Sequence, residues 1–133
     1  MRYYCNITKE QNDMYVVEFP DMTNVTTYGT SVDDALKMAK EALEGVLEVA
    51  LDHGYIVSLP KYKGGYPVDI NPQIAFALNL RKARADKTQQ EIAKICGMTY
   101  QQYQRLENPR KANPTINTIH KLEKALGHSF LSF

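Results

Sequence analysis

The sequence predicts an α+β chain in two parts, a β-β-β-α-β unit over residues 1–70 and an all-helical unit over residues 71–133. Two observations carry this prediction. Strand-like segments precede a long stretch of helical periodicity, and Asn71-Pro72 then interrupts the pattern. The charge also divides at this point. Residues 1–70 carry six Lys or Arg and eleven Asp or Glu, a net charge of −5, whereas residues 71–133 carry ten and four, a net charge of +6. Such an asymmetry suggests two different partners, with nucleic acid as the candidate for the basic half.

Three strands are predicted before the first helix. Residues 2–8 are rich in Tyr, Ile and Thr, and residues 14–19 are strand-like as well. Turn-forming residues at 11–13 make the pair a hairpin. Residues 24–28 predict a third strand that ends at a glycine, and residues 66–70 predict a fourth strand after the helix.

A long helix is predicted between the third and fourth strands. Ser31 can cap it, and Asp34 three residues later completes a capping-box-like pattern. Gly54 is the natural stop, which leaves roughly 22 residues and a length of about 33 Å. One continuous apolar face, able to cover a small sheet, is formed by Val32, Ala35, Leu36, Ala39, Leu43, Val46, Leu47, Ala50 and Leu51.

Four helices are predicted in the second half. The first runs from Pro72 to about Ala85, the second over 89–96, the third over 100–107, and the fourth between Thr115 and Gly127. The candidate core residues of the last three are Ile92, Ala93, Ile95, Cys96, Tyr103, Leu106, Ile116, Ile119, Leu122, Ala125 and Leu126.

The second and third of these helices have the sequence form of a helix-turn-helix. They are short and are joined through Gly97, which suits a sharp turn with positive φ. Thr88 caps the second helix, with Glu91 completing a T-x-x-E box, and Thr99 caps the third. The third helix is rich in amide side chains, as a reading helix is.

This part of the chain is similar to the phage-repressor-like (Xre/Cro) domains. The run TQQEIAKICGMT at 88–99 matches their TQxELAxxLGVS core, and RLENP at 105–109 and NPTI at 113–116 match later segments. The similarity covers about 55 residues and implies binding to double-stranded DNA.

The third helix is the expected DNA reader. Gln can pair with adenine and Arg with guanine through two hydrogen bonds, although both are also ordinary surface helix formers. Helix N-termini and nearby cations would contact phosphates. The residues expected to bind DNA are Gln89, Thr99, Tyr100, Gln101, Gln102, Arg105, Arg110 and Lys111, whereas Tyr103 is expected in the core.

The first half resembles the HicB antitoxin domain, a reduced ribonuclease-H-like β-β-β-α-β unit. The resemblance lies in the hairpin, the third strand ending in Tyr28-Gly29-Thr30, and the helix opening SVDDA at 31–35. It implies a type II antitoxin whose N-terminal domain blocks a small basic RNA-cleaving toxin, HicA, and whose C-terminal domain represses the operon by binding operator DNA. The alternative is a repressor whose N-terminal domain senses a small ligand or only dimerises.

Catalysis is not expected. Ribonuclease-H chemistry needs carboxylates at strand ends to hold two divalent metal ions, and the first strand contains none. We therefore expect no enzyme activity, no cofactor and no metal site.

Cys5 and Cys96 are isolated, which suggests buried thiols in a reducing compartment. The helix carboxylates Glu41, Glu44 and Glu48 could contact the toxin, or could be an ordinary solvated face.

The size of the helix-turn-helix bears on the oligomeric state of the chain. A single helix-turn-helix of this size makes few DNA contacts, so we expect a homodimer or a higher even-numbered homo-oligomer. The edge strands and the apolar tail 130–133 are the candidate contacts between protomers.

No segment resembles a signal peptide or approaches the roughly 18 apolar residues of a membrane span. The chain is therefore expected in the cytoplasm, associated with the nucleoid through operator binding.

Overall fold

A computed structural model describes residues 1–130 of the chain, which divides into two compact units, Met1–Asn71 and one that begins at Pro72. The element order is β-β-β-α-β in the first unit and four helices in the second. The α+β fold class predicted from the sequence is confirmed.

The strands of the first unit form one antiparallel sheet in the order β3-β2-β1-β4. In chain order they are β1 (Arg2–Lys9), β2 (Tyr15–Phe19), β3 (Met22–Gly29) and β4 (Tyr66–Asp69). β3 begins two residues earlier than predicted because Phe19 already pairs with Met22 across a tight turn. The third and fourth strands are the two edges of the sheet.

Side chains alternate between a buried face and an open face of the sheet. Tyr3, Cys5 and Val17 are fully buried. On the open face, Asn6 pairs across the strands with Glu18, and both are exposed. Burial raises the pKa of the Cys5 thiol to about 11, so this thiol stays protonated and poorly nucleophilic at neutral pH.

A single long helix, α1 (Val32–His53), packs on the buried face. Its cap is the predicted one, since Ser31 Oγ accepts a hydrogen bond from the Asp34 backbone N–H at 3.0 Å. The Asp34 carboxylate in turn accepts from the Thr30 N–H at 2.9 Å. Gly54 ends the helix in the left-handed conformation, with φ 69°. The buried residues of α1 are Ala35, Ala39, Leu43, Leu47 and Ala50.

The passage from β3 into α1 requires glycine at Gly29. A Cβ atom there would lie 2.3 Å from the backbone nitrogen of Ala35 and 2.6 Å from its Cα. Because these are backbone atoms of α1, no side-chain movement could relieve the overlap. Gly29 therefore allows the first turn of α1 to pack directly on the end of β3.

The connection from α1 to β4 has no regular secondary structure but is held by hydrogen bonds. One carboxylate oxygen of Asp21 accepts from the backbone N–H groups of Lys61 at 2.7 Å and Tyr62 at 2.8 Å. The buried Tyr3 hydroxyl donates to the Ser58 carbonyl at 2.8 Å. These bonds fix the connection beside α1 and the start of β3.

Over residues 72–130 the second unit contains four helices, as predicted. They are α2 (Pro72–Arg84), α3 (Gln89–Ile95), α4 (Tyr100–Leu106) and α5 (Ile116–Leu126). Their bounds agree with the predicted ones to within a residue. The core of this unit contains Leu80, Ile92, Ala93, Cys96, Tyr103, Leu106 and Leu122.

Two residues predicted in this core are exposed instead. Ile95 is 62% exposed, because the core meets α3 on the side that carries Ile92 and Cys96 and Ile95 lies on the adjoining side. Ile116 is 74% exposed, since it is the first residue of α5 and the contact with the core is centred further along, at Leu122.

Phe130 packs against its own unit. Its ring lies 5.6 Å from that of Phe76, centroid to centroid, and its backbone N–H donates to Glu123 Oε2 at 2.8 Å. The rest of the tail predicted as an oligomer contact, residues 131–133, lies outside the described residues.

Candidate nucleic-acid interface

The turn between α3 and α4 is made by Gly97, which has φ 67°. The Gly97 N–H donates to the Lys94 carbonyl at 3.1 Å, and the Met98 N–H donates to the Ala93 carbonyl at 2.9 Å. Both bonds close the end of α3, as glycine-based helix stops do. The positive φ lets the chain leave α3 and begin α4 three residues later.

Threonine caps fix the start of both helices. Thr88 Oγ1 accepts from the Glu91 N–H at 3.0 Å. At α4 the capping box is complete, because Thr99 Oγ1 accepts from the Gln102 N–H at 3.1 Å and Gln102 Oε1 accepts from the Thr99 N–H at 2.9 Å. The reciprocal bond therefore involves a glutamine of the expected reading set.

α4 has one buried face and one exposed face. Tyr103 is fully buried, as its spacing predicts, and Leu106 is 7% exposed. Tyr100, Gln101 and Arg105 are exposed. The helix thus presents an amide, a guanidinium and an aromatic ring to its surroundings while its other side joins the core.

A buried carboxylate, Glu107, ties the helices together. It is 8% exposed and accepts two hydrogen bonds from Arg84, from Nε at 2.7 Å and from Nη2 at 3.1 Å. The Tyr103 hydroxyl donates to it at 2.6 Å, and Gln89 Nε2 donates at 3.2 Å. These donors come from α2, α3 and α4, so one side chain at the end of α4 holds all three helices.

The hydrogen bonds and the burial of this cluster shift the pKa values of Arg84 and Tyr103. The hydrogen bond to Glu107 raises the pKa of Arg84 further above its ordinary value. Burial, and then the Glu107 carboxylate, raise the pKa of the Tyr103 hydroxyl, so it remains a donor. A buried ion pair with four satisfied hydrogen bonds specifies one arrangement of the helices.

Three cationic residues of the second unit line one hollow. Arg105 and Lys111 line a cavity of about 480 Å³ together with Gln102 and with Lys121 of α5. Lys121 was not predicted, because nothing in its sequence context separates it from any other exposed lysine of an amphipathic helix. Arg110 is also exposed, and its backbone N–H is held by Asn108 Oδ1 at 3.0 Å.

The predicted DNA-binding residues therefore differ in whether their side chains already form hydrogen bonds within the protein. Tyr100, Gln101 and Arg105 are available on α4. Gln102 already uses its amide oxygen in the cap, and Gln89 directs its amide to Glu107. The Glu107 cluster is a feature that sequence reasoning missed, although its glutamate lies inside the RLENP segment that carries the similarity to repressor domains.

The three carboxylates predicted to contact a protein partner also differ from one another. Glu41 is exposed on α1. Glu44 accepts a hydrogen bond from the Asn71 N–H at 2.6 Å, so it closes the end of the first unit. Glu48 is half-buried. Of the three, Glu41 has the geometry of a free surface contact.

Residues 1–130 contain neither a metal-binding cluster nor a membrane-spanning helix. No three His, Cys, Asp or Glu side chains in this range come together in a way that could hold a metal ion. In the same range no helix combines the length and the apolar character that a membrane span requires.

Comparison with protein families assigns both units. Residues 2–70 match the family described as HicB-like antitoxin of bacterial toxin-antitoxin systems, and residues 79–131 match the helix-turn-helix family.

Individual relatives agree with these matches. The chain is 30% identical over 130 residues to Antitoxin HicB 1 of Photorhabdus laumondii, covering 96% of this chain and 83% of that protein. It is 28% identical over 131 residues to Antitoxin HicB of Escherichia coli K12, covering 96% and 94%. Among solved structures, the N-terminal domain of Burkholderia pseudomallei antitoxin HicB is 28% identical, with a TM-score of 0.44, covering 47% of this chain and 74% of that one.

The Glu107 cluster generates a prediction about stability. Arg84→Ala should destabilise the second unit by about 3 to 5 kcal/mol, because it leaves the Glu107 carboxylate buried without its counter-ion. Tyr103→Phe should cost about 1 to 2 kcal/mol, since it removes one hydrogen bond and keeps the packing. Urea unfolding followed by circular dichroism measures both. Arg105→Ala is the exposed control, and an Arg84→Ala variant as stable as Arg105→Ala would contradict the assignment.

Proposed function

The chain belongs to the HicB-like antitoxin family, and from that premise we propose that it neutralises a HicA-like RNA-cleaving toxin and represses its own operon. The toxin would be bound by the first unit and the operator DNA by the second. The observation that carries the proposal is the order of the two matches, HicB-like over 2–70 and helix-turn-helix over 79–131, in a single chain. The protein would act in the cytoplasm, at the nucleoid.

The charge distribution supports this division of labour. The net charge of −5 over residues 1–70 suits a small basic toxin, and the net charge of +6 over residues 71–133 suits the phosphates of DNA. Complementary charge mainly accelerates association and selects the partner. Inhibition would proceed by covering the active site of the toxin, without any catalysis by this chain.

The exposed face of α4 supports its role as the reading helix. Gln101 and Arg105 have the donors and acceptors needed to pair with adenine and guanine in the major groove. Gln102 would have to share its capping oxygen to pair with adenine in the same way. We therefore assign base reading first to Gln101 and Arg105, and phosphate contacts to Lys111, to Arg110 and to the starts of α3 and α4.

The first prediction of the proposed function concerns DNA reading. Gln101→Ala and Arg105→Ala should each weaken operator binding by about 1 to 3 kcal/mol and relax specificity at one base pair, because each removes a pair of hydrogen bonds to a base. Lys111→Ala should weaken binding to all sequences alike and reduce its salt dependence. Mobility shifts on operator and scrambled DNA separate the two effects. Wild-type affinity in both α4 variants would mean that another surface reads the operator.

The second prediction concerns association. The chain should be a dimer or a higher even-numbered oligomer, since two helix-turn-helix units about 34 Å apart can read two half-sites of one operator. Light scattering at micromolar concentration, with and without operator DNA, measures the mass. A monomer under both conditions would contradict this prediction.

The third prediction separates toxin binding from DNA binding. A fragment of residues 1–70 should fold, because its sheet and α1 bury each other, and should inhibit the toxin without binding DNA. The association rate should fall as salt is raised, because opposite charges steer the encounter. The measurement is RNA cleavage by purified toxin with rising amounts of fragment. Full cleavage in the presence of excess folded fragment would favour a repressor whose first unit senses a ligand.

A further inference from the structure

An open groove of about 630 Å³ lies beside α1 in the first unit. It is lined by Ala42, Val46 and Val49 of α1 and by Tyr55 and Ile56 of the connection after α1. Residues 21–24, at the turn before β3 and at the start of β3, also line it. The lining is mainly aliphatic and aromatic, so the groove suits an apolar group.

Three large apolar residues are exposed along this one groove. Ile56 is 100% exposed, Tyr55 is 57% exposed and Val49 is 50% exposed. The connection that carries two of them is ordered by backbone bonds, since the Tyr55 N–H donates to the Ala50 carbonyl at 2.9 Å and Ser58 is held by Tyr3. Single exposed apolar residues are ordinary, but a contiguous group of them marks a binding surface.

Gly45 forms part of the groove in the middle of α1. Glycine inside a helix costs about 0.5 to 1 kcal/mol relative to alanine. Neither the fold nor the backbone requires it here, because a Cβ atom at Gly45 would meet nothing within 4 Å. The missing side chain has one structural consequence, which is to keep this part of the groove clear.

The rim of the groove is acidic. Both charged residues of its lining, Asp21 and Glu41, are carboxylates. A second copy of this chain would bring an identical acidic rim against the first, which disfavours self-association through this face. A basic protein would instead find opposite charge around an apolar centre.

We propose that this groove is the toxin-docking site, and that a basic toxin inserts an apolar side chain between α1 and Ile56 while its cations meet Glu41 and the rim. The inference rests on the proposed antitoxin function and adds the place and the chemistry of contact. An apolar anchor in a pocket surrounded by charged residues is the usual form of a binding hot spot.

The test uses two substitutions in the full-length chain that should leave folding intact. Gly45→Met fills the groove, and Ile56→Ser removes an apolar wall that is already fully exposed. Each should weaken inhibition of RNA cleavage by about tenfold or more, as loss of a hot-spot contact does. Gly45→Ala, which adds one methyl group and raises helix propensity, should inhibit nearly as well as the wild type.

Thr26→Met is the matched control. It adds a Met side chain on the open face of the sheet, away from the groove, and should inhibit like the wild type. Operator binding should be unchanged in all four variants, and none of them should unfold at a lower temperature than the wild type, which shows that each is folded.

The outcomes distinguish the docking site from the function. No inhibition by the wild-type chain would reject the antitoxin function itself. Inhibition by the wild type, Gly45→Met and Ile56→Ser alike would reject the groove while leaving the function in place. Loss of inhibition in Thr26→Met alone would move the site to the open face of the sheet. If the oligomeric mass of Gly45→Met in the absence of toxin is lower than that of the wild type, the groove is occupied by a second copy of this chain. That result also overturns the proposal.

Discussion

The ion pair between Arg84 and Glu107 is the interaction on which the helix-turn-helix unit depends. Removing two charges from water is costly, and here the cost is offset by a bidentate contact and by further hydrogen bonds from Tyr103 and Gln89. Because the donors belong to α2, α3 and α4, Glu107 fixes the position of α4 relative to α2 and α3. In the proposed DNA complex, the residues that meet a base edge would lie on a helix that is already in place, which lowers the entropic cost of binding.

In the first unit, the fold depends instead on a close contact between the backbones of α1 and β3. Gly29 lets the start of α1 touch the end of β3, and the small buried residues Ala35 and Ala39 continue this close approach. The connection after α1 is held by hydrogen bonds from its Lys61 and Tyr62 backbone N–H groups to Asp21 and from the Tyr3 hydroxyl to its Ser58 carbonyl. Ile56, in the same connection, is fully exposed and lines the proposed docking groove.

The two units suit the two tasks of the proposed function, which are toxin binding and operator binding. One carries excess negative charge and an apolar groove, and the other carries excess positive charge and an exposed reading helix. Each set of properties favours one partner and disfavours the other, since the acidic unit repels DNA and the basic unit repels a basic toxin. In the proposed function, the presence of both units in one chain would link the concentration of free toxin to the occupancy of the operator.

The sequence by itself determined the elements, because the signals that begin and end them are local. The caps at Ser31, Thr88, Thr99 and Thr115, the stop at Gly54 and the helical periodicity all lie within a few residues of what they control. Only the tertiary structure decided which side of each helix meets a core. Some residues that the helical periodicity predicted to be buried are therefore exposed, among them Ile95 at the end of α3. It also decided which polar side chains are free. Glu107 is bound by an arginine 23 residues earlier, and the groove joins segments that lie far apart in the chain. Hydrogen bonds and cavities of this kind depend on distances between remote residues, and those distances exist only once the elements have packed.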